Sequence, residues 1–120
     1  MEIFKVFRID CAHRLPMVPE GHECSRMHGH SFRIEVHIRG PVDPKLGWVM
    51  DFADISEAFK DLFEQLDHKC LNDIDGLENP TSENLAKWIW VHLNSTLPNL
   101  TKIIVQEDLE CGVIYAGEDR

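Results

Sequence analysis

Ser31-Phe32-Arg33-Ile34-Glu35-Val36-His37-Ile38-Arg39-Gly40 alternates apolar and polar side chains without a break. Successive side chains of an extended strand point to opposite faces. Phe32, Ile34, Val36 and Ile38 therefore form one apolar row, and Arg33, Glu35, His37 and Arg39 a polar one. Such a strand belongs to a sheet with a core on one side only. Reading outward, Ile3 to Ala12 predicts a preceding strand. The stretch from Arg14 to Arg26 holds two prolines, a glycine and many polar residues and reads as a loop.

Beyond the strand, Pro41 to Gly47 reads as a turn region that leads through Trp48-Val49-Met50 to a helix from about Asp54 to Leu66. Ile55, Ala58, Phe59, Leu62, Phe63 and Leu66 repeat with helical spacing, and Asp54-x-x-Glu57 resembles a capping box. A loop with Asn72, Asp73, Gly76 and Pro80 precedes a second helix, starting near Thr81 or Ser82. Its stripe is Leu85, Trp88, Ile89, His92 and Leu93, and Pro98 stops it. Thr101 to Glu107 and Cys111 to Ala116 read as two closing strands joined by a tight turn. The order ββααββ predicts an α+β domain over residues 1–120, with a four-stranded antiparallel sheet and two helices on one face. Its two edges invite pairing with other chains, so a homo-oligomer closing into a larger barrel is expected.

Composition narrows the classes. At 120 residues, 43% hydrophobic and 28% charged, the chain fits one ordinary globular domain. The net charge of −9 argues against a nucleic-acid partner, which needs a basic footprint, but leaves room for a phosphorylated small molecule held by a few local cations. No signal-peptide core or membrane-length apolar run is visible, so no membrane partner and a cytoplasmic location are expected. In that compartment the four cysteines are not a disulfide framework. Cys11 and Cys111 read as small buried hydrophobes, and Cys70 as structural.

Chemistry gathers at Cys24-Ser25-Arg26-Met27-His28-Gly29-His30, with His13 at the end of the preceding strand. In His-x-His on extended backbone, both imidazoles point the same way. His13, His28 and His30 are therefore a candidate metal site, with zinc the ion that imidazole nitrogens suit. His22 is a rival third ligand; His37 and His92 read as structural. Cys24 stays open between two roles: a fourth ligand that closes the site, or a thiol that reacts beside it. Two features outside the loop bear on the choice. Asp67-His68 places a carboxylate beside an imidazole at a helix end. Glu107 shares a strand face with Ile103 and Val105, and a carboxylate on an apolar face needs a partner such as a ligand's paired N–H groups.

Together the motifs resemble the 6-pyruvoyltetrahydropterin synthase/6-carboxytetrahydropterin synthase family. They are Ala12-His13-Arg14-Leu15, Cys24-x-x-x-His28-Gly29-His30, Gly47-x-Val49-x-Asp51-Phe52, Leu66-Asp67-His68, Asn79-Pro80-Thr81-Ser82-Glu83-Asn84 and Glu107. The three-residue gap between Cys24 and His28 resembles the bacterial carboxytetrahydropterin branch of the queuosine pathway. The resemblance implies the T-fold, assembled as a hexamer of two trimers, with one Zn²⁺ per subunit on His13, His28 and His30. It implies Cys24 as the catalytic proton acceptor, Asp67 and His68 as its proton relay, and Glu107 as the pterin anchor. Thr81, Ser82 and Glu83 would add pterin contacts, and Arg14, Arg26 and Lys69 are candidates for the triphosphate. The implied reaction converts 7,8-dihydroneopterin triphosphate to 6-carboxy-5,6,7,8-tetrahydropterin, acetaldehyde and triphosphate. Two alternatives stand beside it: triphosphate elimination to the 6-pyruvoyl product, and a non-catalytic zinc-binding module.

Overall fold

A computed structural model describes residues 1–118. Strands β1 (Glu2–His13) and β2 (His28–Arg39) pair antiparallel along their whole length, from Glu2 opposite Arg39 to His13 opposite His28. Helices α1 (Phe52–Leu66) and α2 (Ser82–Asn94) follow, then β3 (Leu100–Gln106) and β4 (Gly112–Tyr115). The sheet order β1-β2-β3-β4 is the expected four-stranded antiparallel sheet. The predicted alternation of β2 is what puts Phe32, Ile34, Val36 and Ile38 in the core. They pack with Ile9, Ile103 and Val105 against Ile55, Phe59, Leu62 and Leu66 of α1 and Leu85, Trp88, Ile89 and Leu93 of α2. Burying each large side chain there contributes roughly 1.5–3 kcal/mol.

Three local expectations need correction. The first helix starts at Phe52, because the carboxylate that caps it is Asp51, accepting from Ala53 N at 2.9 Å, and not Asp54. Phe52 is 52% exposed, so the first turn carries no apolar periodicity to mark it. Strands β3 and β4 are joined by a wider loop, residues 107–111, rather than a tight turn. Asp108 Oδ1 organises it by accepting from Glu110 N at 2.8 Å and Cys111 N at 3.1 Å. Cys111 is therefore an exposed loop residue and not a buried one, whereas Cys11 is buried as expected. Gly112, the first residue of β4, lies so close to β3 that an added Cβ would come within 2.8 Å of Val105 O.

The stretch after α1 runs beside the outer edge of β1 and occupies part of it. Asp10 N donates to Asp67 Oδ1 (2.9 Å) and Asp10 O accepts from His68 N (2.6 Å). Ala12 N donates to Lys69 O (3.0 Å), and Arg14 N to Asn72 Oδ1 (2.9 Å). The edge groups of alternate residues are thus satisfied where the core ends. On the other side, β3 pairs with β2 only from Arg33 to Ile38. Among the described residues, the His28 end of β2 therefore pairs with β1 alone.

A candidate metal centre and active site

His13 closes β1, His28 opens β2 directly opposite it, and His30 lies two residues on, facing the same way. Their ring centroids are 4.6, 5.0 and 5.1 Å apart, and one nitrogen from each lies within 4.8 Å of the others. The ring orientation is set from behind. His13 Nδ1 is 2.8 Å from Pro80 O, and His28 Nδ1 is 2.7 Å from Arg26 O. A carbonyl only accepts, so each Nδ1 carries the proton and each Nε2 offers its lone pair, the tautomer a metal ligand needs.

His13 Nε2 is buried and has no hydrogen-bond partner among the described residues. An orphaned buried nitrogen costs about 1–3 kcal/mol unless something else satisfies it. Burial also holds the His13 imidazole below its ordinary pKa, against the raising effect of the Pro80 bond, and so keeps it neutral. Three converging imidazoles, each with Nε2 free to offer its lone pair, fit zinc.

Cys24 sits in a short 3₁₀ turn, Glu23–Ser25. Its amide donates to His22 Nδ1 at 3.0 Å, and its carbonyl accepts from Leu15 N at 2.8 Å. The thiol is free and half-buried, and its sulfur does not join the converging nitrogens. His22 is exposed, spends Nδ1 on that turn, and also lies outside the group.

Glu107 follows β3 directly. Ser82 Oγ, at the start of α2, donates to its Oε1 at 2.7 Å, and its Oε2 lies 3.7 Å from His30 Nε2. One carboxylate thus links the second helix to the histidine group. Thr81 Oγ1 is spent capping α2, accepting from Asn84 N at 3.0 Å. Glu83 is exposed and lines a different groove, with Lys87, Val113 and Tyr115.

Asp67 and His68 form a pair at the end of α1, with His68 Nδ1 2.8 Å from Asp67 Oδ2. The bond to Asp10 N, and then that to His68, lowers the Asp67 carboxyl; the Asp67 bond raises the His68 imidazole. His68 has φ 59°, the left-handed backbone that glycine usually supplies one residue past a helix. A histidine held there is strained, and its chain turns the ring back to face its neighbouring carboxylate. Within one chain His68 and Lys69 line an open groove of about 720 Å³ together with His30, Ser31 and Asp10. Cys24, Arg14 and Arg26 do not line it.

Several groups that shape the site carried no signal of that role in the sequence. Pro80 and Arg26 act through their carbonyls, and Asn72 through the fold of a loop.

These features define a ββααββ sheet-and-helix domain with a three-imidazole centre at the loop end of its longest hairpin. The chain belongs to the 6-pyruvoyl tetrahydropterin synthase family, whose model matches residues 2–118. It is 40% identical to the 6-carboxy-5,6,7,8-tetrahydropterin synthase of Synechocystis over 94% of this chain and 91% of that one. It is 36% identical to the dihydroneopterin monophosphate aldolase of Pyrococcus furiosus, covering 87% of each. It is also 36% identical to human 6-pyruvoyl tetrahydrobiopterin synthase, over 76% of this chain and 67% of that protein. Among solved structures, 6-pyruvoyl tetrahydropterin synthase from Caenorhabditis elegans superposes with a TM-score of 0.90 at 26% identity, covering 98% and 96% of the two chains. The expected T-fold follows.

Proposed function

We propose that this chain is a zinc-dependent carbon–carbon lyase that converts 7,8-dihydroneopterin triphosphate to 6-carboxy-5,6,7,8-tetrahydropterin, acetaldehyde and triphosphate. It would serve queuosine precursor synthesis as a single synthase-like domain spanning 1–120, in a cytoplasmic homo-oligomer, a hexamer of two trimers. The observation that carries this reading is the three-histidine group with the Cys24 sulfur outside it, which leaves the thiol free to react. The 40% identity to the Synechocystis carboxytetrahydropterin synthase supports the choice of product.

His13, His28 and His30 would hold one Zn²⁺. Bound there, zinc supplies Lewis acidity that lowers the pKa of the substrate's side-chain hydroxyls. Glu107, oriented by Ser82, would accept the paired N–H groups of the pterin ring and fix the side chain for reaction. Cys24 would take a proton from the side-chain carbon as general base. His68, its Nδ1 held by Asp67, would move protons through loss of triphosphate and cleavage of the carbon–carbon bond. Lys69 shares the groove with His68 and His30 and is the cation we assign to the triphosphate; Arg14 and Arg26 would serve only from another direction.

The human relative's name keeps triphosphate elimination to the 6-pyruvoyl product as the second reading. A zinc-loaded assay on dihydroneopterin triphosphate separates the two, because only the carboxytetrahydropterin reaction releases acetaldehyde. Cys24→Ala then tests the site: retained zinc with lost turnover supports the catalytic thiol. Loss of zinc and unfolding would instead make Cys24 a ligand in a binding module.

A further inference from the structure

The geometry points to Asn72 as a positioning residue that sets His13 and Cys24 in place for the chemistry proposed above, on which this assignment rests. Where β1 ends at His13, the next residue still presents a backbone N–H and C=O on the edge. The Asn72 side chain takes both: Arg14 N donates to its Oδ1 at 2.9 Å, and its Nδ2 donates to Arg14 O at 2.9 Å. A side-chain amide carries the same donor and acceptor as a peptide, so Asn72 stands in for one more residue of a neighbouring strand. It continues the edge pairing that Ala12 makes with Lys69 and Cys70.

Two consequences run outward from that clamp. Leu15, the next residue, donates its N–H to Cys24 O at 2.8 Å, so the turn bearing the thiol hangs from the clamped segment. In the other direction, Asn72 Nδ2 also reaches Glu78 O at 3.4 Å. Glu78 lies two residues before Pro80, whose carbonyl holds His13 Nδ1. One amide therefore touches both supports of the His13 ring, the backbone after it and the loop behind it, and the segment that leads to Cys24. No other described side chain joins Arg14 to the 76–80 loop by hydrogen bonds. Replacing it frees the spacing between metal ligand and thiol while leaving the ligands, the thiol and Glu107 chemically intact.

The test compares the wild type with Asn72→Ala and Asn72→Asp, all purified as full chains. Asn72→Asp keeps the acceptor for Arg14 N–H but sets its second oxygen against the Arg14 carbonyl. Zinc affinity by chelator competition is expected to fall about tenfold or more in Asn72→Ala, the scale of losing an outer-shell partner. Asn72→Asp is expected to fall between Asn72→Ala and the wild type. In zinc-saturated protein kcat drops by a similar factor while KM stays within twofold, because Ser82 and Glu107 hold the pterin from other elements. Cobalt-substituted Asn72→Ala shows a weakened visible d–d band. If either folded variant keeps wild-type zinc affinity within twofold and an unchanged cobalt spectrum, the assignment is overturned, whatever its turnover. If Asn72→Ala fails to fold, the isosteric Asn72→Asp decides by the same readings. A wild type that binds no zinc would sink the proposed function instead, and this assignment with it. A wild type that binds zinc but makes another product leaves the Asn72 test standing.

Discussion

The two ends of the β1–β2 hairpin each gather histidine and carboxylate, and they do so on opposite faces to opposite effect. At the far end His37 is buried and stacks on Phe4, with ring centroids 5.1 Å apart. Both its nitrogens meet carboxylates, Nδ1 at 3.1 Å from Glu2 and Nε2 at 2.8 Å from Glu35. Lys102, Arg33 and Arg39 close the charge balance around them. At the near end, His13 and His28 are held by carbonyls from behind, and His13 Nε2 is left buried without a partner among the described residues. Satisfied nitrogens mark a structural histidine; a converging set with an orphan marks a binding centre. Residue type alone does not separate the two.

The largest expected effect breaks the near end. His13→Ala, His28→Ala or His30→Ala should each lower zinc stoichiometry, measured by plasma mass spectrometry. Each should abolish turnover, by more than the ~10–100-fold cost of an outer-shell change. His37→Ala is the matched control: zinc content and kcat should hold, while urea denaturation shows a loss of about 1–3 kcal/mol from its two lost hydrogen bonds to Glu2 and Glu35. If His37→Ala loses zinc, the contrast between the ends fails.

Glu107→Gln should keep zinc yet raise KM for the pterin tenfold or more, since a charged hydrogen bond contributes about 1.5–3 kcal/mol. Ser82→Ala should raise it less, because it removes only the bond that aims the carboxylate. A drop in zinc content in either variant would move Glu107 from substrate anchor to metal ligand.

Acid should separate the ends in pH. Burial raises the Glu2 carboxyl, but bonds from Thr101, Lys102 and His37 outweigh it and bring it down to about 2. A lowered carboxylate stabilises the fold above its ordinary value of 4.5 and loses that contribution as pH falls towards 2. Metal release requires only protons on imidazoles and so comes first on acidification. Chelator-free zinc loss monitored alongside circular dichroism should show two transitions, and Glu2→Gln should shift the second alone.

The smallest effect concerns His68, whose raised imidazole stabilises the fold below its ordinary value near ~6.5 and ceases to as pH rises through its folded value. The melting-point difference between wild type and His68→Ala should shrink across that window. His68→Gly should melt higher than His68→Ala, since glycine accepts φ 59° without strain, and be equally inactive.

Much of this was legible beforehand because alternation and helical spacing are direct consequences of side-chain geometry. The β2 row, the α1 and α2 stripes and the His-x-His pair follow from it. Element ends were less legible. Phe52 belongs to α1 but faces solvent, and Gln106 and Glu107 divide a strand from a loop without any change of pattern. Cys111 was misread because hydrophobicity says where a residue prefers to be, and the loop ordered by Asp108 decides where it is. The Pro80 and Arg26 carbonyls and the Asn72 clamp were invisible, since they depend on which distant backbone groups the fold brings together.

All three imidazoles lie on one hairpin, at the last residue of β1 and within the first three of β2. An ion held there staples a single local loop, which in chain-entropy terms is comparable to a cross-link closing roughly 15 residues, about 3 kcal/mol. Glu107, Ser82, Asp67 and His68 arrive from later parts of the chain, over long-range contacts that form slowly. An ion captured there early would reach its full affinity only when the Pro80 carbonyl and the Asn72 clamp arrive from later in the chain.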